Sequence, residues 1–479
     1  MAATKELRMP VKAKPYKHQQ EAFEFVCRLF GLLPSDRHSS GAALLMEMGC
    51  GKTITAIGVA GALYLAGMIR RVLIVCPLSI TGVWEEEFAK FADFPYTLTV
   101  LTGSSAKKRQ QLQAISGDGL RVCVVNYESA RILKDDLLRF RADLVIADEG
   151  HKLKENRSQQ SKAMHDIGDR AKYRLLLTGT LITNREIDVF SQYRFVNNGV
   201  FGTSFYSFRG RYFYMGGYGQ HTPFFKKEML REFEDKIHSI AYRVTKAECL
   251  DLPPITEEIR PVTLEPKALS LYRKLEEDSY AELKGKEVTA SNVLTRLLRL
   301  AQVTGGHVTD DDKGTYQVST AKLDALSDII DSVMAEGKKV VVMARFVAEL
   351  DDIEALLQKK KVGYAVVRGG VKDRDGEVKR FQNDPGCTVF LGQIAAAGLG
   401  ITLTAASTMV FYSLDYSMSN FDQAKARIHR VSQTEPCTYI YLIATGTVDR
   451  KVLKALRDKI DLAKMLVDDC RTGRNPFSP

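Results

Sequence analysis

The sequence predicts an α/β protein made of two tandem lobes, each built on a mostly parallel sheet. Three observations predict it. Short apolar runs recur along the whole chain, and a short apolar run bounded by polar residues reads as a buried parallel strand. Helical patterns fall between the runs, the alternation that builds βαβ units. Near the middle, Leu252-Pro253-Pro254 forbids continuation of a helix and marks a linker. The expected lobes are residues 1–254 and 255–479.

The first lobe opens its sheet with Ala42 to Met46, followed by the Gly-rich turn Gly49-Cys50-Gly51-Lys52-Thr53. Thr53 to Ile69 carries no charge, which invites a membrane reading. The stretch is short for a bilayer span, holds three glycines and starts inside the turn, so a helix buried on the sheet is expected instead. Val72 to Cys76, Val122 to Val125, Leu144 to Ala147 and Arg174 to Leu177 are the other clear strands. Between Gly199 and Phe225 the chain packs ten aromatics with Arg209 and Arg211, inside an insertion of about 199–245. Two readings of it stay open: a small aromatic core, or a stacking or wedging surface for nucleic acid.

The second lobe repeats the style with Lys339 to Met343, Tyr364 to Val367, Thr388 to Leu391, Thr408 to Tyr412 and Tyr439 to Ile443. Glu265 to Leu300 reads as helical, with Arg296 and Arg299 near its end and a turn at Asp311-Asp312-Lys313-Gly314, within an insertion of about 265–318. Lys359-Lys360-Lys361 reads as a helix end before the next strand. A second Gly-rich turn, Gly398-Leu399-Gly400-Ile401-Thr402-Leu403-Thr404, follows the Thr388 to Leu391 strand. Gln423, Arg427 and Arg430 stand at i, i+4 and i+7, so on a helix they share one face.

The chemistry lies where Asp148-Glu149-Gly150-His151 ends the Leu144 to Ala147 strand. In open α/β sheets, function collects at the carboxyl ends of strands. Two adjacent carboxylates there can divide the work, one helping to hold Mg²⁺ and the other polarising a water. Gly49, Cys50, Gly51, Lys52 and Thr53 supply the other half: backbone N–H groups for phosphates, an ammonium, and a hydroxyl for the metal. The strict phosphate-loop pattern has Gly where this chain has Met46. Guanidinium groups such as Arg427 and Arg430 suit a transferring phosphoryl because they are planar, always charged and bidentate. The combination implies nucleotide hydrolysis, with ATP in a cleft between the lobes that opens and closes.

With these motifs in this order, the chain resembles the Swi/Snf-type branch of the superfamily-two helicases, the double-stranded-DNA translocases, from Lys14 to about Leu456. Two RecA-like lobes with helical protrusions are what that resemblance implies. Pro15-Tyr16-Lys17-His18-Gln19 resembles the adenine-reading motif and gives Gln19 that role. Met46 through Thr53 resembles the family's phosphate loop, whose first position need not be Gly. Cys76-Pro77-Leu78-Ser79 with Trp84, and Asn126-Tyr127-Glu128, resemble the first two DNA-tracking motifs. Leu177-Thr178-Gly179-Thr180-Leu181-Ile182-Thr183-Asn184 is similar to the coupling motif, with Leu181 and Thr183 where Pro and Gln are usual. Gln423-Ala424 through His429-Arg430-Val431-Ser432-Gln433 is close to the arginine motif, with Ser432 in place of Gly and Tyr416 in place of Trp ahead of it. Gly150 stands where Ala is common. No departure removes a catalytic group, so the resemblance implies an active ATPase.

The implied roles are nucleotide contacts by Gln19, Gly49, Cys50, Gly51, Lys52, Thr53, Gly400 and Gln423, and Mg²⁺ held by Thr53 and Asp148. Glu149 would be the base, and Arg427 and Arg430 would meet the γ phosphate. DNA contacts are expected at Ser79, Trp84, Tyr127, Thr180, Arg209, Arg211, Thr402 and Thr404.

Composition agrees with a nucleic-acid partner without requiring one. The 479 residues are 45% hydrophobic, enough for two or three ordinary cores. Lys+Arg 68 against Asp+Glu 58 gives a net charge of +10, the sign a phosphate backbone attracts. The eight cysteines are scattered without a Cys-x-x-Cys pair, which argues against zinc or a disulfide framework and for a reducing interior. The charged N-terminus lacks the apolar core of a signal peptide. The expectation is a monomeric, cytoplasmic motor on double-stranded or branched DNA, prokaryotic or viral, serving replication, recombination or repair, with any recruiting protein unidentified and no membrane contact. Two rivals stay open: a strand-separating DNA or RNA helicase, and an ATP-switched clamp that recruits another enzyme.

Overall fold

The computed structural model describes residues 7–179, 181–182, 185–216, 222–249, 252–283, 289–309, 314–371, 373–397, 401–430, 432–458, 460 and 462–478. The chain divides into two compact units, Met1–Asp251 and Leu252–Pro479.

In the first unit, the strands are β1 (Gly41–Met46), β2 (Arg71–Cys76), β3 (Tyr96–Val100), β4 (Leu120–Asn126), β5 (Leu144–Asp148), β6 (Tyr173–Thr178), β7 (Phe213–Gly216), β8 (Thr222–Phe225) and β9 (Ala241–Val244). Among the described residues, seven of them form one sheet in the order β3-β4-β2-β5-β6-β1-β9, and every neighbouring pair is parallel. β1 is buried along its whole length and β5 likewise, the signature of a sheet covered on both faces. The helix Lys52–Leu65 follows β1 and is buried from Ile54 to Leu63. Its uncharged sequence is explained by packing inside the lobe; none of the described helices is long and apolar enough to cross a membrane.

The aromatic insertion adds the helices Asn198–Phe201, Phe205–Tyr212 and Leu230–His238 around the antiparallel hairpin β7–β8. Phe201, Phe208, Tyr212, Phe213 and Phe233 are buried and meet edge to face or tilted, at centroid distances from 5.2 to 5.8 Å for the pairs Phe201–Phe208, Phe201–Tyr212, Phe208–Tyr212 and Phe208–Phe213. The core reading holds for these rings. Tyr206 and Tyr214 are the exceptions, 63% and 56% exposed.

In the second unit, the strands are β10 (Ile255–Val262), β11 (His307–Thr309), β12 (Thr315–Gln317), β13 (Val340–Ala344), β14 (Gly363–Val367), β15 (Cys387–Gln393), β16 (Thr408–Phe411) and β17 (Cys437–Ala444). Its main sheet runs β10-β17-β16-β13-β15-β14 among the described residues, again parallel throughout. Alternate residues of β13 enter different cores: Val341 and Met343 on one side, Val340, Val342 and Ala344 on the other. That is the two-residue period of a strand buried on both faces. The segment expected to be helical is two helices, Pro266–Leu283 and Ala290–Thr304. Their Tyr272, Val293, Leu297 and Leu300 join the same core as Phe411 and Tyr439.

Candidate nucleotide-binding site

The phosphate loop is shaped by two glycines. Gly49 and Gly51 have φ of 88° and 90°, the left-handed region that costs glycine least. A Cβ at Gly51 would also lie 2.1 Å from Gln19 Nε2, so a side chain there would displace Gln19. The helix Lys52–Leu65 starts directly after it, so its first N–H groups face the loop. Lys52 Nζ donates to Met46 O at 2.8 Å, back across the mouth of the loop. Thr53, on the first turn, is half-buried. Gly179, just past β6, lies close enough that a Cβ would meet Met46 O at 3.4 Å.

Gln19 is held on the loop from the helix Lys17–Leu29. Its Oε1 accepts from Tyr16 N at 3.0 Å, and its Nε2 donates to Cys50 O at 3.4 Å. His18, assigned no role from the motif alone, sits within 2.8 Å of the same carbonyl through Nε2. Both side chains are buried. Together they hold the Cys50 carbonyl.

At the end of β5, Asp148 and Glu149 are each 7% exposed. Glu149 takes φ 51°, a left-handed conformation uncommon for a residue with a Cβ and most often found where geometry serves function. Its N–H donates to Asp148 Oδ1 at 2.9 Å, and its Oε2 lies 3.2 Å from His151 Nδ1. Gly150 has a local reason: a Cβ would stand 2.3 Å from Leu176 Cδ1 on β6.

Asp148 carries the clearest electrostatic mark. Burial, and then the charge of Glu149, push its carboxyl well above the usual carboxylate range, against the opposing pull of Lys52 and a hydrogen bond from Trp84. A carboxylate so poorly solvated favours either a proton or a cation beside it. The residues therefore fit a divalent cation with a nucleotide phosphate: an acid in want of a counter-charge, a lysine that reaches the same region, and a glycine cradle.

Two expected DNA contacts are corrected here. Trp84 is 1% exposed and Tyr127 is 2% exposed, so neither ring is presented to a ligand. Trp84 Nε1 donates to Asp148 Oδ2 at 3.0 Å, and Tyr127 Oη donates to Asp148 O at 2.8 Å. Their place is behind the acid, positioning it. Ser79 lies in the single turn Leu78–Ile80, and Thr180 falls outside the described residues. Arg211 is bonded to both carboxylate oxygens of Glu232 at 2.9 and 2.7 Å, with Tyr212 Oη on the same carboxylate. Arg209 lies over the exposed Tyr206 ring, 5.2 Å from its centroid, and Arg157 donates to the Tyr206 hydroxyl at 3.3 Å.

In the second unit, the shared helix face expected for Gln423, Arg427 and Arg430 does not form. The helix Met418–Lys425 ends first, and the arginines lie in the turns after it. Arg427 is buried and donates to Gln423 O and Ile401 O at 2.9 and 3.0 Å. Arg430 donates to Thr402 Oγ1 at 2.6 Å, so both arginines brace the loop that carries Thr402. Gln423 Nε2 donates to Ser419 Oγ at 3.2 Å. Thr404 Oγ1 is 3.1 Å from Ser432 Oγ, a contact that glycine at position 432 could not make. Gly400 lies outside the described residues.

These features define the class: a phosphate-loop protein of two parallel-sheet units, with paired carboxylates beside the loop. The SNF2-related domain family matches residues 18–306, and the Helicase conserved C-terminal domain family matches residues 321–432. The chain belongs to the SNF2-related family of superfamily-two helicases. It is similar to the DNA repair and recombination protein RDH54 of Saccharomyces cerevisiae (strain JAY291), 27% identical over 91% of this chain and 52% of that protein. It is also similar to the DNA repair and recombination protein RAD54-like of Drosophila persimilis, 28% identical over 96% of this chain and 64% of that protein. The chain thus spans about half to two-thirds of the length of these relatives. The Sulfolobus solfataricus SWI2/SNF2 ATPase core in complex with dsDNA aligns over 98% of this chain and 96% of its own, with 24% identity and a TM-score of 0.46.

Proposed function

We propose that this chain is a DNA-dependent ATPase that uses ATP and Mg²⁺ to move along double-stranded or branched DNA in recombination, repair or replication. The observation that carries the reading is the convergence, at one carboxyl edge of the first sheet, of Lys52 on a two-glycine loop with the buried pair Asp148–Glu149. Its relatives' names, DNA repair and recombination proteins, supply the setting, and the net charge of +10 suits a phosphate backbone.

In this reading, Gly49, Cys50, Gly51 and Lys52 hold the phosphates of ATP, and Gln19 reads its base. Thr53 and Asp148 would hold Mg²⁺, which when bound would supply charge neutralisation on the phosphate. Glu149 orients and deprotonates the attacking water, with His151 steadying its carboxylate. Arg427 and Arg430 meet the negative charge that grows on the transferring phosphoryl, the work at which guanidinium groups excel. Trp84 and Tyr127 act through Asp148 by holding it in place. Thr402 and Thr404, braced by the arginine segment, remain on the DNA side of the assignment with Ser79, Thr180, Arg209 and Arg211. The protein works as a monomer in the cell interior.

The test is ATP hydrolysis measured with and without long duplex DNA. The reading expects duplex to raise the rate at least tenfold. Equal rates in its presence and absence would overturn it.

A further inference from the structure

The strand register brings two cysteines together at the phosphate loop. β9 pairs in parallel with β1, with Met46 opposite Val244. Both chains then leave the sheet side by side, one as the phosphate loop and the other as the segment Thr245–Cys249 that leads out of the first unit. The two segments stay in touch. Lys246 N donates to Glu47 Oε2 at 3.0 Å, Gly49 faces the Lys246 side chain, and the Cys249 and Cys50 sulfurs are 3.5 Å apart. All eight cysteines are free thiols, and six of them have no part in this contact.

We propose that Cys50 and Cys249 are a redox-sensitive pair, which a peroxide converts to a disulfide that latches the phosphate loop to the outgoing segment and stops nucleotide turnover. This rests on the assignment of the loop to ATP. The more exposed Cys249 reacts first. Its thiolate attacks one peroxide oxygen, the O–O bond breaks, and a sulfenic acid and hydroxide form. The Cys50 thiolate then attacks that sulfur, the S–O bond breaks, and hydroxide leaves. The two protons released by the thiols neutralise the two hydroxides. Two electrons pass from the pair to the peroxide, which ends as two waters.

Burial pushes the Cys50 thiol up to about 12 and also raises Cys249. Both thiols are therefore protonated for most of the time at neutral pH, and it is the 3.5 Å approach of the two sulfurs, not thiolate character, that favours this pair over the other six cysteines. Bond formation must draw the sulfurs from 3.5 Å to about 2.0 Å. The pull falls on the residue before Gly51 and Lys52, whose carbonyl is already fixed by His18 and Gln19. A displacement of ~1 Å in a positioning element costs about 100-fold in rate.

The experiment treats the full chain with hydrogen peroxide, then maps linked peptides by mass spectrometry and measures DNA-stimulated ATP hydrolysis and binding of a fluorescent ATP analogue. The expected result is a Cys50–Cys249 linkage ahead of any other, an approximately 100-fold fall in turnover, and recovery with dithiothreitol. Cys249→Ser should keep the untreated rate within about twofold and resist peroxide; Cys249→Ala serves equally should the serine variant fold poorly. The proposal is overturned if both thiols stay reduced while other cysteines oxidise, if the linkage forms without loss of turnover or nucleotide binding, or if the Cys249 variants are inactivated like wild type. A chain that forms the linkage but never hydrolyses ATP refutes the functional reading instead, because the peptide map does not depend on activity.

Discussion

Trp84→Phe separates the two possible places for this tryptophan. The substitution keeps an aromatic ring in a site that is 1% exposed and removes the indole N–H, which donates to Asp148 Oδ2 at 3.0 Å, together with part of the buried ring system, a packing loss that the melting temperature reports separately. A hydrogen bond to a charged acceptor is worth about 1.5–3 kcal/mol, so its loss should raise the Asp148 midpoint by about one to two pH units. Asp148 is already held above the usual carboxylate value by burial, so the variant would hold a proton more readily where the cation should sit. Losing such a supporting bond commonly costs ~10–100-fold in metal affinity. The assay is the Mg²⁺ dependence of ATP hydrolysis at pH 7 and pH 9, beside nucleotide-free binding to duplex DNA and a melting temperature. Half-saturation should move to roughly 10–100-fold higher Mg²⁺ at pH 7, by the same principle, and recover partly at pH 9 as Asp148 ionises. DNA binding should not change. An unaltered Mg²⁺ requirement together with weaker DNA binding would refute the assignment and return Trp84 to the DNA surface.

Other consequences follow from the same geometry. Burial, and then the charge of Glu149, hold the folded-state midpoint of Asp148 above the usual carboxylate value, so its contribution to stability is fully present below the unfolded midpoint and is lost as pH rises through the folded one. Metal-free Asp148→Asn should therefore show a flatter melting temperature between pH 5 and 8 than wild type. Gly150→Ala should destabilise by ~1–3 kcal/mol through overpacking against Leu176, and Leu176→Val in the same chain should recover part of it in a denaturant titration. Phe208→Ala, at a ring 2% exposed, should cost ~3–5 kcal/mol. Tyr214→Ala, at a ring stacked on Phe224 but 56% exposed, should leave the melting temperature within about 2 °C, by the small effect expected of surface changes.

The strands that could be read from the sequence are those buried on both faces. Leu144 to Asp148 is entirely buried, and nothing but a sheet interior accounts for such a run. The missed strands lie where that signal fades. β3 is half-buried throughout. β10 is an edge strand exposed from Ile255 to Pro261, where charges and a proline are tolerated because one side needs no partner. The catalytic candidates were legible because their spacing is local: Gly51 and Lys52 are neighbours, as are Asp148 and Glu149. What stands behind them was not. Trp84 meets Asp148 across 64 residues and Cys249 meets Cys50 across 199, contacts set by the sheet order and not by any nearby pattern. The arginine segment misled for a different reason. A seven-residue spacing is compatible with a helix, but the helix stops at Lys425, and backbone carbonyls of the Ile401 loop hold Arg427 and Arg430 instead.

The central claim is that ATP hydrolysis at Lys52, Asp148 and Glu149 drives movement along intact duplex. The most direct measurement is displacement of the third strand from a DNA triplex, run beside unwinding of a forked duplex, with wild type and Glu149→Gln. Wild type should displace the third strand only with ATP and Mg²⁺ and leave fork strands paired, while Glu149→Gln should bind ATP, hold DNA and displace nothing. DNA-stimulated hydrolysis without triplex displacement would make the chain a switched clamp. Fork unwinding without triplex displacement would make it a strand-separating helicase, and either result would contradict the account.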